Sequence, residues 1–155
     1  MAHSIRATAI LGIALLAAAG CKKKEVTPPP AEPAAQAPAP ATLPISIGAV
    51  TVGKSIDAQK MVLAPLTVLG TRDTVYASVL TKGVGENATI GARWEYVKAD
   101  GSTIMVNESS QTITTTGPAY TEFHITKASA WPAGKYRVTV TLNGAAGTPV
   151  EFEIK

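Results

Sequence analysis

His124 and Glu122 are the residues whose types and spacing come nearest to catalysis. Two residues apart on a strand, they share a face, and a carboxylate beside an imidazole is half of a Ser-His-acid triad. The other half needs a serine in a sharp elbow, and no G-x-S-x-G occurs in the chain. Glu151 and Glu153 also share a face at strand spacing, superficially as paired hydrolytic carboxylates, but basic neighbours mark them as an ordinary wet face. Lys82-Gly83-Val84-Gly85 lacks the rest of a phosphate loop and reads as a turn. Asp100-Gly101-Ser102 offers too few carboxylates for a dedicated calcium site. The chain has one cysteine and two histidines, His3 and His124, too few for a His/Cys metal centre. No cofactor is expected. His124 therefore reads as a solvent-facing strand residue, and a hydrolase using it with a distant Ser or Asp is the weakest functional alternative.

The elements that must position these residues fill only part of the 155-residue chain. Ala7 to Ala19 is an uncharged apolar and small-residue run after Arg6. It fits a signal-peptide h-region of about 7–15 residues and falls short of a bilayer span of about 20. Ala18-Ala19-Gly20-Cys21 follows and resembles the lipobox of bacterial lipoproteins, although Ala18 stands where that family prefers Leu. The resemblance implies removal of residues 1–20, lipidation of Cys21 and attachment to the membrane through that anchor. Lys22 in place of Asp implies the outer membrane, facing the periplasm. Lys22, Lys23 and Lys24 would add attraction to an anionic surface or simply keep the segment wet.

Residues 21–44 read as a disordered Lys/Pro/Ala-rich tether. Seven prolines between 25 and 44 remove backbone donors and block helix and sheet alike, favouring extended polyproline II. The basic balance is partly a property of this segment, since Lys22, Lys23 and Lys24 are three of the chain's fourteen Lys/Arg; residues 45–155 carry ten Lys/Arg against nine Asp/Glu, leaving +1. With no basic stripe, a nucleic-acid partner is not expected.

Residues 45–155 read as an antiparallel β-sandwich of about 7–9 strands, from short β-branched and aromatic runs punctuated by Gly, Pro, Asn and Asp. Strands are expected at 45–52, 61–69, 73–81, 88–97, 103–107, 110–115, 120–126, 135–142 and 148–154, with a helical turn admissible at 55–61. Tyr136, Val138, Val140 and Leu142 alternate with Lys135, Arg137, Thr139 and Thr141, and Asn143-Gly144 is a strong hairpin signal. Pairing with Val150–Ile154 would set Lys135 and Arg137 near Glu151 and Glu153.

Trp94 alternates with Arg93 and Glu95 and resembles the core tryptophan of immunoglobulin-like domains. Trp131-Pro132-Ala133-Gly134 fits a type I turn. Gly134-Lys135-Tyr136-Arg137-Val138 resembles those domains' tyrosine corner, with Val138 where the inter-sheet cysteine would stand. Together with Asp73–Val79 and Thr121–Ile125, these segments resemble small immunoglobulin-like domains of bacterial envelope proteins. The resemblance implies a fold and no catalytic residue. The expected function is a lipid-anchored, non-catalytic interaction module for an envelope protein. A peptidoglycan or other glycan module is the alternative, with Tyr120 and Trp131 as candidate stacking residues; Tyr120, Glu122, His124 and Trp131 are the candidate binding surface. Oligomeric state and partner are not legible.

Overall fold

A computed structural model describes residues 43–155, and the segments assigned to the signal peptide and most of the tether lie outside them. Nine strands follow in order: β1 (Ser46–Gly53), β2 (Val68–Leu69), β3 (Val75–Lys82), β4 (Gly85–Val97), β5 (Thr103–Thr115), β6 (Ala119–Ile125), β7 (Gly134–Leu142), β8 (Ala145–Ala146) and β9 (Val150–Ile154). They form two sheets. One has the order β1-β3-β6; the other runs β2-β9-β7-β4-β5, with β8 beside β7. All strand pairs are antiparallel except β2 with β9.

Period-two alternation buries one face of each sheet against the other. Val75, Ala77 and Val79 of β3 and Phe123 and Ile125 of β6 meet Ile90, Ala92 and Trp94 of β4, Tyr136, Val138 and Val140 of β7, and Phe152 and Ile154 of β9. This is an immunoglobulin-like sandwich without a disulfide, and Val138, which the resemblance sets at the cysteine position, is fully buried. At that scale of apolar burial a domain of this size holds without a covalent staple.

Asn143 and Gly144 both adopt positive φ (50° and 83°), and Thr141 and Leu142 pair with Ala146 and Ala145. This is the two-residue primed turn that Asn-Gly favours. It returns the chain as β8, and β9 then continues along the same edge of β7. Lys135 opposes Glu153 and Arg137 opposes Glu151, as the alternation requires.

Three expected elements change in kind, beyond shifts of one to three residues at strand ends. Residues 61–69 are not one strand. Pro65 withholds a ladder donor, so only Val68–Leu69 pair, and the segment before them follows β1 through the bonds Leu63 N–H to Ser55 O and Leu66 N–H to Val52 O. Residues 55–61 form no helical turn; Asp57 Oδ1 accepts from the Gln59 and Met61 amides and closes a tight turn with Lys60 at φ 66°. This loop lies against the three-stranded sheet, where the Ser78 hydroxyl donates to Lys60 O at 2.7 Å. Finally, 103–107 and 110–115 are one strand of 13 residues, because β4 offers an equally long partner across the polar stretch Asn107–Gln111. Gly134 is already the first residue of β7.

Candidate functional site: a groove on the open flank

β5 and β6 are the edge strands of their sheets on the same flank of the sandwich. At one place they are tied: Gln111 Nε2 donates to Glu122 O at 2.8 Å. Towards the start of β5 and the end of β6 lies a groove of about 750 Å³. Ile104, Val106 and Asn107 of β5 form one wall, Tyr96 and Tyr136 belong to the floor strands β4 and β7, and His124 through Lys127 with Trp131 and Pro132 form the other wall. That volume lies within the range of small-ligand sites, about 300–1,000 Å³.

Local sequence explains the shape. β4 and β5 slip register between Trp94/Asn107 and Glu95/Met105, leaving Val106 as the extra residue of a bulge. Bulges re-aim side chains, and here Ile104, Val106 and Asn107 all line the groove. On the far side, Trp131 is pinned to the loop before β3. Its indole N–H donates to Asp73 O at 3.0 Å, and its backbone N–H to Thr71 O at 2.7 Å. Tyr136 fixes the base. Its hydroxyl donates to Pro132 O at 2.8 Å, which is the expected tyrosine corner, and its ring stacks on Phe152 and meets Tyr96 and Trp131 edge-on. Burial, followed by the nearby Tyr96, pushes the Tyr136 hydroxyl above its usual range. Gly134 approaches so closely that a Cβ there would stand 2.8 Å from Tyr96 Cε2, at a φ of 144°. Side chains rarely adopt such a backbone, and glycine does so freely.

The expected site residues divide. Trp131 is only 8% exposed, with its indole N–H committed, so it is a wall of the groove and not an exposed stacking plate. The amine of Lys127 lies 5.9 Å above its ring. Tyr120 is 38% exposed on β6, on the side opposite the buried Thr121, Phe123 and Ile125. Glu122 and His124 meet as the strand spacing requires, Nδ1 to Oε2 at 3.1 Å, and the imidazole also packs against Tyr76 at 5.4 Å. Thr126 lines the groove near His124, but among the described residues no serine or cysteine does. Trp131 and His124 line the groove; Tyr120 and Glu122 do not.

Sequence reasoning missed Ile104, Val106, Asn107, Tyr96 and Lys127. The available signal was the run Ile104-Met105-Val106, which carries no polar alternation. In a half-wet strand such a run leaves apolar side chains outside. Ile104 and Met105 are indeed 50% and 55% exposed.

A second polar assembly lies on the outer face of the larger sheet. Glu95 is 5% exposed. Arg137 Nε donates to its Oε2 at 2.7 Å, Thr103 to Oε1 at 3.1 Å, and Arg93 stands 3.4 Å away. The Arg137 hydrogen bond, above all, holds the Glu95 carboxyl below the usual carboxylate range, while burial acts in the opposite sense. Arg137 stands opposite Glu95 on β4 and opposite Glu151 on β9, and its side chain bonds to Glu95.

No family model and no curated sequence matches the chain. Among solved structures, the chain is similar to an immunoglobulin-like protein from Pseudomonas aeruginosa, with a TM-score of 0.50 and 13% identity over 74% of this chain and 99% of that one. Weaker likenesses are to an alkylpurine DNA glycosylase from Pseudomonas fluorescens (TM-score 0.44, 17% identity, 72% of this chain) and a β-glucosidase from Listeria innocua (TM-score 0.45, 13% identity, 71% of this chain). The chain spans 30% and 16% of those two enzymes. The likeness to the Pseudomonas aeruginosa protein is one of fold alone.

Proposed function

We propose that the protein is an envelope lipoprotein, anchored in the membrane through a lipidated Cys21, that presents its sandwich on a Pro/Ala-rich tether as a non-catalytic interaction module. The observation that carries the interaction reading is the groove between β5 and β6: a concave site floored by Tyr96 and Tyr136 and walled by Ile104, Val106 and Trp131, on a flank where the two sheets part. Such a site suits binding more than bond cleavage, since His124 has Glu122 as partner and, among the described residues, no serine or cysteine lines the groove with it. The burial of Trp131 removes one of the two candidate stacking residues for a glycan, and Tyr120, 38% exposed, lies outside the groove, which favours a protein partner there.

The anchor reading rests on the apolar run ending at Ala18-Ala19-Gly20-Cys21. Attachment that survives washing takes more than one acyl chain, which lipoprotein processing would supply. The outer membrane, facing the periplasm, is the proposed location.

The test is in vivo crosslinking and pull-down from envelope membranes, using the wild-type chain and Cys21→Ser. The wild type should sediment with membranes through a high-salt wash and capture a defined partner, and Cys21→Ser should be released. A Cys21→Ser protein that still sediments after the wash would overturn the anchor. A wild-type protein that crosslinks to nothing would overturn the module.

A further inference from the structure

β5 is the unpaired edge of the larger sheet, bonded as a strand to β4 alone among the described residues. Such an edge presents a row of backbone donors and acceptors to solvent, and proteins usually guard it with lysine, proline or a charge. Thr103-Ile104-Met105-Val106-Asn107 carries no lysine, proline or charge; its one guard is the bulge at Val106, and the first charge on β5 is Glu108, opposite Arg93. This uncharged stretch is also the stretch that borders the groove. Beyond it, the Gln111 bond to Glu122 closes the flank. Open backbone and apolar groove therefore coincide over the same few residues. Among the described residues, Lys127 is the one Lys, Arg, Asp or Glu that lines the groove, and the Glu122 carboxylate, outside the lining, is bonded to His124.

We propose that this edge receives an extended segment of a partner protein, which adds as a strand along Thr103–Asn107, lays apolar side chains against Ile104, Val106 and Trp131, and sets an acidic side chain at Lys127. The proposal deepens the interaction-module reading and rests on it. Strand addition draws its affinity from main-chain bonds and its selectivity from pockets that take alternate side chains. Both halves are present on this flank. A compact small molecule would fill the groove and leave the edge unpaired. The charge of Lys127 on the groove wall favours a segment that carries a carboxylate at that point.

The test is selection of binders from a library of extended peptides, about ten residues long to match a typical strand, with alternating apolar positions and one Asp, against the full chain in detergent. Amide hydrogen exchange then locates the bound peptide. The expected result is slowed exchange over Ile104–Asn107. N-methylating the peptide amides that face β5 should weaken binding by about tenfold or more, because several strand hydrogen bonds are lost together. Lys127→Glu should weaken binding of the Asp peptide, and replacing that Asp with Lys should restore it. Failure to select any peptide, protection at another edge such as β1, or indifference to N-methylation would each overturn the site. So would slowed exchange over the same residues in peptide-free dimers, which would make a second copy the occupant. A partner crosslinked elsewhere on the sandwich would leave the interaction-module reading standing while sinking this site.

Discussion

Trp94 and Glu95 are neighbours on β4, point to opposite faces of one sheet, and are both buried. Trp94 is fully enclosed between the sheets, edge-on to Phe152, and its indole N–H has no hydrogen-bond partner among the described residues. Glu95 is enclosed on the other face, outside the sandwich core, by the side chains of Arg137, Thr103 and Arg93. One face is buried by packing and tolerates an unpaired polar atom. The other is buried by polar side chains folded over a charge, which must be satisfied almost completely to stay there. Burial alone therefore says little about what a position contributes; the kind of neighbour decides.

The largest test of this contrast is Trp94→Ala. Removing a large aromatic from the inner face should cost about 3–5 kcal/mol, measured by urea denaturation. With typical domain stabilities of about 5–15 kcal/mol, that change alone could unfold much of the population. A near-neutral result would mean that Trp94 does not fill the core. Trp94→Phe sharpens the point: it also deletes the unpaired N–H, so it should cost well under the alanine change. Tyr136→Phe comes next. Pro132 O loses its donor while the ring stays in place. The cost should be about 1–3 kcal/mol, the penalty for a buried acceptor left unsatisfied.

The outer face is probed by Arg137→Met, which keeps the aliphatic stem and removes the hydrogen bond to Glu95. Arg137 is itself about one-third exposed. Solvent offsets part of the loss, so the cost should be only about 1–2 kcal/mol. Its pH dependence is more telling. The folded Glu95 carboxyl is held below its unfolded range, so its contribution is present above the unfolded value and is lost as pH falls through the folded one. Wild-type stability should decline on that acid limb, and Arg137→Met should flatten the decline. An unchanged acid limb would show that Glu95 does not depend on Arg137. The smallest effect belongs to His124→Ala. Its side chain is half exposed. The change in urea-denaturation stability should stay within about 0.5 kcal/mol, as for other surface substitutions. A loss of several kcal/mol would show that its contacts with Glu122 and Tyr76 hold the sheet.

Alternation makes the inner face legible in the sequence alone. Trp94, Tyr136, Val138 and Phe152 stand where a period of two puts them, and Asn143-Gly144 turns as its dipeptide requires. The outer face was not legible, because a glutamate among arginines reads the same whether it is solvated or covered; only the third partner, Thr103 on β5, distinguishes the two. The groove was half legible. Trp131 and His124 were singled out by type, yet Trp131 was expected to offer an exposed ring. Its burial depends on Asp73, 58 residues away, and no local pattern carries such a contact. The wall formed by Ile104 and Val106 depends on a bulge, which period-two reading cannot register.

The entry of the chain into the sandwich has a mechanical consequence. Leu43 O accepts from the Val84 amide, and β1 then begins with Ser46 opposite Lys82, whereas the groove lies at the other end of β3, where Val75 pairs with Ile125. A pull transmitted from the residues before Leu43 and resisted by something held in the groove would run along the axis of β1. Antiparallel strands loaded in this way share the strain across all their cross-strand bonds at once, rather than opening from one end like a zipper. The same sandwich gripped at the Lys82 end would peel. With the proposed partner seated there, the position of the groove would set how that load is shared among the cross-strand bonds.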